Sequence, residues 1–478
     1  MKNNILFILS LFIISNIYAQ AFKLDTTFKV QNNYFPHIGT NIVHGLNKEP
    51  NGKLMIYGDF HNLYNNPSDA IRTYEDGSLD NTWLFPQGFA GQGIYTFDKL
   101  GSDYIGWGNM SIIKFNNLGL TDTSWSMKVF RANFCKMFYQ PYILPSGTML
   151  IGTDSLCNSV SDKKRWFMRF FPDGSPDTNF KHAPNNMINS IVKYSSDKLL
   201  LSGVSGTSQF TRYDTTQITL LCRIDTIGNL DTSFKSIFVS GAPCPKYIQA
   251  DGKIIVGGFF KINNYPDYLC LIRLNADGSL DSSFNNFNSV ISANSNINTV
   301  CSASDGGYLI GGCFWLYQGY NRNNIAKIDN NGFLDTAYFK GQGIDSAFYP
   351  SLGIPPYVLS IVEGNNDTYY VMGYFTYYDG KKVQPILRIK GLSSGIIENK
   401  KEKTKLNIYP NPATTQTTIS YPTAEKALTL QIYNMLGQKV YEEKLSKGSS
   451  QTTIDTRAYK KGLYKVVMGE SSASLIIN

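Results

Sequence analysis

Leu271-Ile272-Arg273-Leu274-Asn275-Ala276-Asp277-Gly278-Ser279-Leu280-Asp281-Ser282-Ser283-Phe284 decides the fold because it recurs. Arg72…Asp76-Gly77-Ser78-Leu79-Asp80…Trp83 is a second copy, and Arg169…Asp173-Gly174-Ser175-Pro176-Asp177…Phe180 a third. Looser copies surround Asp122, Asp231 and Asp335, and a copy without its first half stands at Asp25-Thr26-Thr27-Phe28. Self-similarity of this length marks stacked units, none of which can bury its apolar face alone.

Outward from this stretch, each repeat reads as four short strands bounded by turn residues. An apolar A strand leads through a tight turn such as Asp251-Gly252 into a B strand ending in glycine. After a variable loop, a C strand carries Arg or Lys, and a second tight turn leads to a D strand with Leu-Asp-x-x-Phe. Asp-Gly and Asn-Gly reach the positive φ that two-residue hairpins require. The B strands close at Gly58, Gly108, Gly152, Gly203, Gly258, Gly312 and Gly373, and the C-strand cations are Arg72, Lys114, Arg169, Arg223, Arg273, Lys327 and Arg388. An Asp follows eight residues after the first six cations, whereas Arg388 is followed at that distance by Ile396. Asp25–Phe28 is therefore expected to supply the missing D strand. The count predicts an all-β, seven-bladed β-propeller closed by the N-terminal strand, an arrangement that leaves no free sheet edge. Because the Arg and Asp recur in nearly every unit, they are expected to pair within a blade rather than catalyse.

Composition agrees with a turn-rich β protein, since aromatic residues are 14%, charged residues 17% and glycine numbers 41. The formal charge of +8 is unevenly placed. Residues 400–478 hold a net +6 and Lys2 one more charge, leaving the body near +1, too little to bind nucleic acid through its phosphates. Lys2, the apolar run Ile5–Ile17 and Tyr18-Ala19-Gln20 read as a signal peptide cleaved near Ala19, with no stable membrane insertion expected elsewhere. The seven cysteines match no zinc spacing, and Cys301 with Cys313 is the best single candidate for a bridge.

Lys-Ile-Ile-Val-Gly-Gly-Phe at 253–259 together with 271–284 resembles the delta-60 repeat family of bacterial β-propellers, over roughly residues 22–390. The resemblance implies a propeller and no single activity. After a linker at 391–405, the segment 406–478 changes character and reads as a small β-sandwich. Tyr409-Pro410-Asn411-Pro412-Ala413, Tyr433-Asn434-Met435-Leu436-Gly437-Gln438, Lys461-Gly462-Leu463-Tyr464 and a terminal apolar strand resemble, in order, the type A C-terminal sorting domain of the Bacteroidetes type IX secretion system. That resemblance implies the type IX machinery as a partner of 406–478, export across the outer membrane, removal of the domain near 391–405, and release or attachment at the cell surface. The expected domains are thus a signal peptide at 1–19, the propeller at 20–390, the linker and the sorting domain.

No cofactor, metal or catalytic residue is expected. The four His form no HExxH or Cys/His cluster, no Gly-x-Ser-x-Gly elbow occurs, and Gly88–Gly93 is glycine-rich but opens no helix. Hairpin geometry places the short A–B and C–D turns on one face and the variable B–C and D–A connections on the other. Tyr64, Tyr265, Trp315, Tyr317, Tyr320, Tyr377 and Tyr378 gather in those variable connections and are the candidate ligand-binding residues for a glycan or a protein. Binding or adhesion is the expected function. The alternative is a polysaccharide-active enzyme, a glycoside hydrolase or lyase whose acids sit on the same face. Asp25-Thr26-Thr27, Asp335-Thr336-Ala337 and Asp345-Ser346-Ala347 also resemble the O-glycosylation sites of this phylum, although the first two belong to the repeat.

Overall fold

The computed structural model describes residues 22–30, 42–59, 70–86, 94–108, 112–125, 141–152, 166–203, 209–284, 295–345, 355–391, 406–421, 423, 428–434, 438–468 and 471–478. The signal peptide, Gly88–Gly93, Tyr64, Cys135, Cys157 and all of the linker but Gly391 lie outside the described residues. Every described element is a strand, and the chain divides into two compact units, Met1–Ser394 and Gly395–Asn478. Among the described residues no helix is long and apolar enough to cross a membrane.

In the first unit the A, B and C strands of each repeat form an antiparallel sheet in that order. The first is Ile42–Lys48, Leu54–Asp59 and Ala70–Thr73; the fifth is Phe238–Ile248, Ile254–Ile262 and Leu269–Leu274. The D stretch adds a single bridge to the C strand, as between Leu274 and Leu280. The last sheet, Tyr357–Glu363, Thr368–Tyr374 and Ile386–Lys390, takes its fourth strand from Lys23–Leu24, with Leu24 opposite Ile389. Apolar side chains fill the space between neighbouring sheets. Phe28, Val43, Leu46 and Ile56 share one cluster with Tyr370, Met372 and Ile386, so the first sheet packs against the last.

The repeated Arg and Asp form a clamp, and the fifth repeat shows its parts. Asp281 N–H donates to the Arg273 carbonyl at 2.9 Å, which sets the register of D on C. Arg273 Nε donates to Asp281 Oδ2 at 2.7 Å, and Lys253 Nζ reaches the same oxygen at 2.8 Å. Ser283 caps the other carboxylate oxygen through its N–H at 3.0 Å and its hydroxyl at 2.7 Å. Burial alone would raise the Asp281 carboxyl, but the bonds from Lys253, Ser283 and Arg273 outweigh it and hold the group well below the usual carboxylate range. The free end of the guanidinium crosses to the next repeat, where Nη1 donates to the Asn330 carbonyl at 2.6 Å. The same crossing joins Arg72 to Asn117, Arg169 to Ile227 and Arg223 to Ala276. Arg388 makes it to Glu75 of the first repeat at 2.8 Å. Lys114 and Lys327 hold two Asp residues each and have no second nitrogen with which to cross.

One expectation, the bridge, changes, and the place of two surface motifs in the repeat is seen directly. Cys301 pairs with Leu309 and Cys313 with Asn296 in the hairpin register, so the two cysteines sit near opposite ends of the hairpin and both are free. Asp25 and Asp335 are committed to the clamp: Asp25 accepts from Thr27 and Arg388, and Asp335 from Lys327 and the Ala337 N–H.

The second unit is a sandwich of a three-stranded sheet, Asn407–Tyr409, Gln416–Ser420 and Gln451–Asp455, and a four-stranded sheet. The latter runs Lys439–Leu445, Leu428–Asn434, Gly462–Met468 and Ser471–Ile477. Ile419, Leu430, Val466 and Leu475 are fully buried between the sheets, on the alternating pattern expected of strands with one wet face.

Candidate functional site: a cavity lined by the A strands

The glycines that close the B strands acquire a reason in the A strands opposite them. Register shifts by one residue between Val43 and Gly45, Ile94 and Thr96, Ile188 and Ser190, Ile297 and Thr299, and Val358 and Ser360. Each shift is a β-bulge, which bends a strand and re-aims a side chain. A Cβ on Gly58 would stand 2.0 Å from the Ile42 carbonyl oxygen, and one on Gly312 would stand 1.9 Å from that of Asn296. Only glycine lets the A strand fold so closely over the B strand at the bulge. The inserted residues include His44, Asn298 and Leu359, and all three line one cavity of about 870 Å³. Residues of all seven A segments line it, from Leu46 in the first repeat through Tyr142 in the third to Val362 in the last.

The lining is polar and carries charge of both signs. Lys48 and Lys193 end their A strands just before the A–B turn, Lys99 is the last residue but one of its strand, and Lys246 stands in a further bulge of the fifth A strand. Thr96, Ser190, Thr299 and Ser360 hold equivalent register positions, the first after each bulge, and line the cavity, although the Thr96 hydroxyl is buried and donates to the Phe97 carbonyl at 3.2 Å. Two carboxylates share the space. Glu49 is buried, accepts from the Tyr104 hydroxyl at 2.7 Å and lies 3.7 Å from Arg72. Asp98 is half-buried, and burial raises its carboxyl despite the hydrogen bond it accepts from the Lys99 N–H. Burial also pushes the Tyr57 phenol up to about 12, with Asp98 adding to the effect. Among the described residues no cluster of three His, Cys, Asp or Glu could hold a metal ion.

The described aromatic candidates of the variable connections do not line this cavity. Trp315 and Tyr320 are exposed, at 62% and 53%, on the two arms of one small hairpin whose arms are joined by the Arg322 N–H to the Trp315 carbonyl. Tyr265 is half-buried against the core, and Tyr377 is half-buried opposite Asp345. Tyr317 and Tyr378 are buried and are corrected as surface candidates. Their rings enter the core so that their hydroxyls can donate to the carbonyls of Gly332 at 2.9 Å and Phe22 at 2.6 Å. Tyr213 does the same to Gly228 at 2.7 Å in the fourth repeat. The cavity lysines were the residues the sequence reading missed. Their signal was a lysine at or one residue before the end of the A strand in three repeats, visible once A strands are aligned on their turns.

Comparison with known proteins addresses the two units separately. Residues 407–477 match the family model of a secretion system C-terminal sorting domain. Residues 249–284 and 303–338, the fifth and sixth repeats from the A–B turn to the D strand, match that of a β-propeller domain of unknown function, DUF5122. The second unit is a secretion-system sorting domain, and the first carries repeats of a β-propeller family. No curated protein matches it. Among solved structures, the extracellular domain of BT4673 from B. thetaiotaomicron is 10% identical with a TM-score of 0.43, covering 96% of this chain. This chain spans 58% of the length of that one. The N-terminal domain of Nup159 is 10% identical, covering 77% of this chain and 94% of its own, with a TM-score of 0.37. A fungal alcohol oxidase in complex with copper is 10% identical, covering 93% and 98%, with a TM-score of 0.33.

In the sorting domain the opening motif and the terminal strand are one structure. Asn411 Nδ2 donates to the Ser474 carbonyl at 2.8 Å, and Asn411 Oδ1 accepts from the Ile476 N–H at 2.8 Å. Ala413 N–H donates to the Ile476 carbonyl at 2.8 Å, and Asn478 N–H returns to the Ala413 carbonyl at 2.9 Å. The Tyr-Pro-Asn-Pro-Ala motif of the sorting domain thus holds the last strand of the chain in place.

Proposed function

We propose that the mature protein is a seven-bladed propeller, closed by its N-terminal strand, which reaches the outside of the cell through its sorting domain and there acts by binding, without catalysis. Closure is supported by the bonds of Arg388 to Asp25 and Glu75, which repeat between the last and first sheets the bonds that Arg273 makes between neighbours. Release into the medium and attachment at the surface are both compatible with this export route. The observation that carries the binding reading is the 870 Å³ cavity shared by all seven A segments. A rigid scaffold with one polar concavity of this size is suited to holding a ligand. Trp315 and Tyr320 add an exposed aromatic pair of the kind that covers sugar rings or protein surfaces.

A glycan array probed with the full chain tests the reading: retention of a defined set of glycans, unchanged in composition after incubation, is expected. Turnover of a retained glycan, abolished by substituting one carboxylate such as Asp98, would overturn it in favour of a polysaccharide-active enzyme. Export is tested by deleting residues 406–478, which is expected to leave the protein inside the cell envelope.

A further inference from the structure

The cavity differs from the rest of the first unit in what its lysines touch. Lys53, Lys198 and Lys253 each hold the Asp of a clamp, and Lys114 and Lys327 hold two acids each. Among the described residues, the lysines of the cavity hold no carboxylate. Lys48 Nζ rests on neutral oxygens, the Glu363 carbonyl at 3.5 Å and Asn365 Oδ1 at 3.2 Å. Lys99 Nζ stands 5.7 Å from the centre of the Tyr104 ring. The side chains of Lys193 and Lys246 make no hydrogen bond or ion pair among the described residues. Of the two carboxylates in the lining, Glu49 is already engaged by Tyr104 and Arg72. Lys48, Lys99 and Lys193 stand at the A–B end of their strands and are exposed there, so they place positive charge at one end of the cavity.

We propose that this end of the cavity receives an acidic oligosaccharide, its carboxylate or sulfate groups on Lys48, Lys99, Lys193 and Lys246 and its hydroxyls on Ser190, Thr299 and Ser360. The inference rests on the binding reading above and gives the ligand its chemistry. Ammonium groups on flexible stems act as movable point charges, which suits anionic groups spaced along a chain better than one planar acid. The hydroxyl side chains lie about 10 Å along the strands from the lysine positions, roughly the length of two sugar rings. A nucleic acid would need a longer basic track than a body near +1 provides. The lysines stand on the face of the A–B turns, so the ligand enters opposite the variable connections where aromatic residues gather.

Calorimetric titration of the full chain with tetragalacturonate, a sulfated heparin tetrasaccharide and neutral cellotetraose tests the proposal. At least one acidic ligand should bind, with affinity falling as sodium chloride is raised, while cellotetraose binds more weakly. Which acidic ligand binds tells carboxylate from sulfate recognition. A triple variant, Lys99→Met with Lys193→Met and Lys246→Met, should lose about ten-fold or more in affinity, and thermal unfolding checks that it remains folded. The salt series on the unaltered protein needs no variant. Equal binding of acidic and neutral tetrasaccharides, indifferent to salt, would overturn the charge assignment and leave the binding reading standing. Loss of binding on Trp315→Ala, with the triple variant unaffected, would move the ligand to the hairpin and likewise overturn the proposal. Failure of all three ligands overturns it as well, and the glycan array then decides the binding reading separately.

Discussion

Arg273 and Arg388 make the same bonds, yet the chain supplies their partners in opposite ways. Arg273 takes Asp281 from eight residues downstream, whereas Arg388 takes Asp25 from 363 residues upstream. The geometry hardly differs. Nε to Oδ2 is 2.7 Å in one and 2.8 Å in the other, and the crossing bond to the next repeat is 2.6 Å against 2.8 Å. The register bond from the Asp N–H to the Arg carbonyl is 2.9 Å and 2.8 Å. The clamp is therefore dictated by how D lies on C, not by the turn that joins them. Two details mark the broken turn. The seventh B strand begins with Thr368 where Lys253 stands in the fifth, so the second cation comes from the end of strand C, with Lys390 Nζ 3.3 Å from Asp25. Phe22 holds a φ of 61° where the equivalent turn residues are Gly228 and Gly332.

The strongest way to break this equivalence is to remove each guanidinium. Arg388→Ala and Arg273→Ala each leave a buried carboxylate without its main partner, and each is expected to cost about 3–5 kcal/mol in urea unfolding. Similar losses mean that the N-terminal strand supports the first unit as firmly as an internal one. A loss from Arg388→Ala below about 1 kcal/mol, a value typical of exposed pairs, would show that Asp25–Phe28 is only loosely attached.

The clamps within a repeat were legible in the sequence because each needs one Arg or Lys, one Asp and a fixed spacing of eight. The partner at Asp25 was found by its own local pattern, Leu-Asp-x-x-Phe, and by the absence of an Asp after Arg388. The cavity was not legible for the opposite reason. A lysine at the end of an A strand looks like any solvated residue before a turn, and a bulge leaves no mark in one strand alone. The aromatic residues misled for a third reason. In Tyr317-Gln318-Gly319-Tyr320 a two-residue turn separates two tyrosines, one fully buried and one exposed, and composition cannot tell them apart. Only the carbonyl waiting at Gly332 decides which ring turns inward.

A gentler comparison uses pH. Burial would raise the Asp25 carboxyl, but the bonds from Thr27, Arg388 and Lys390 outweigh it and hold it at about 2, against 3.8 for the free group. A depressed folded pKa contributes stability that is present above the unfolded value and lost as pH falls through the folded one. The gap in stability between the unaltered protein and Asp25→Asn should therefore be constant above pH 5 and shrink by about 2 kcal/mol as pH falls from 4 to 2. Asp281 is held lower still, so the gap for Asp281→Asn should close at lower pH. Curves that separate in this way would show that the junctions share geometry but not electrostatics, and identical curves would show that they share both.

The smallest expected effect separates the junctions most finely. Tyr378 and Tyr317 hold equivalent positions in their hairpins and donate to equivalent carbonyls, but the carbonyls differ in their other partners. Gly332 also accepts from Gln318 Nε2 at 2.9 Å, so it keeps a hydrogen bond when the Tyr317 hydroxyl is removed. Among the described residues, Phe22 receives no such second side-chain donor. Tyr317→Phe should then be nearly neutral, while Tyr378→Phe should cost about 1–2 kcal/mol, because a buried carbonyl is left unsatisfied. Thermal unfolding of the two single variants measures the difference directly. An equal cost for both would mean that water or backbone satisfies the Phe22 carbonyl, and that the N-terminal strand is held by its clamp alone.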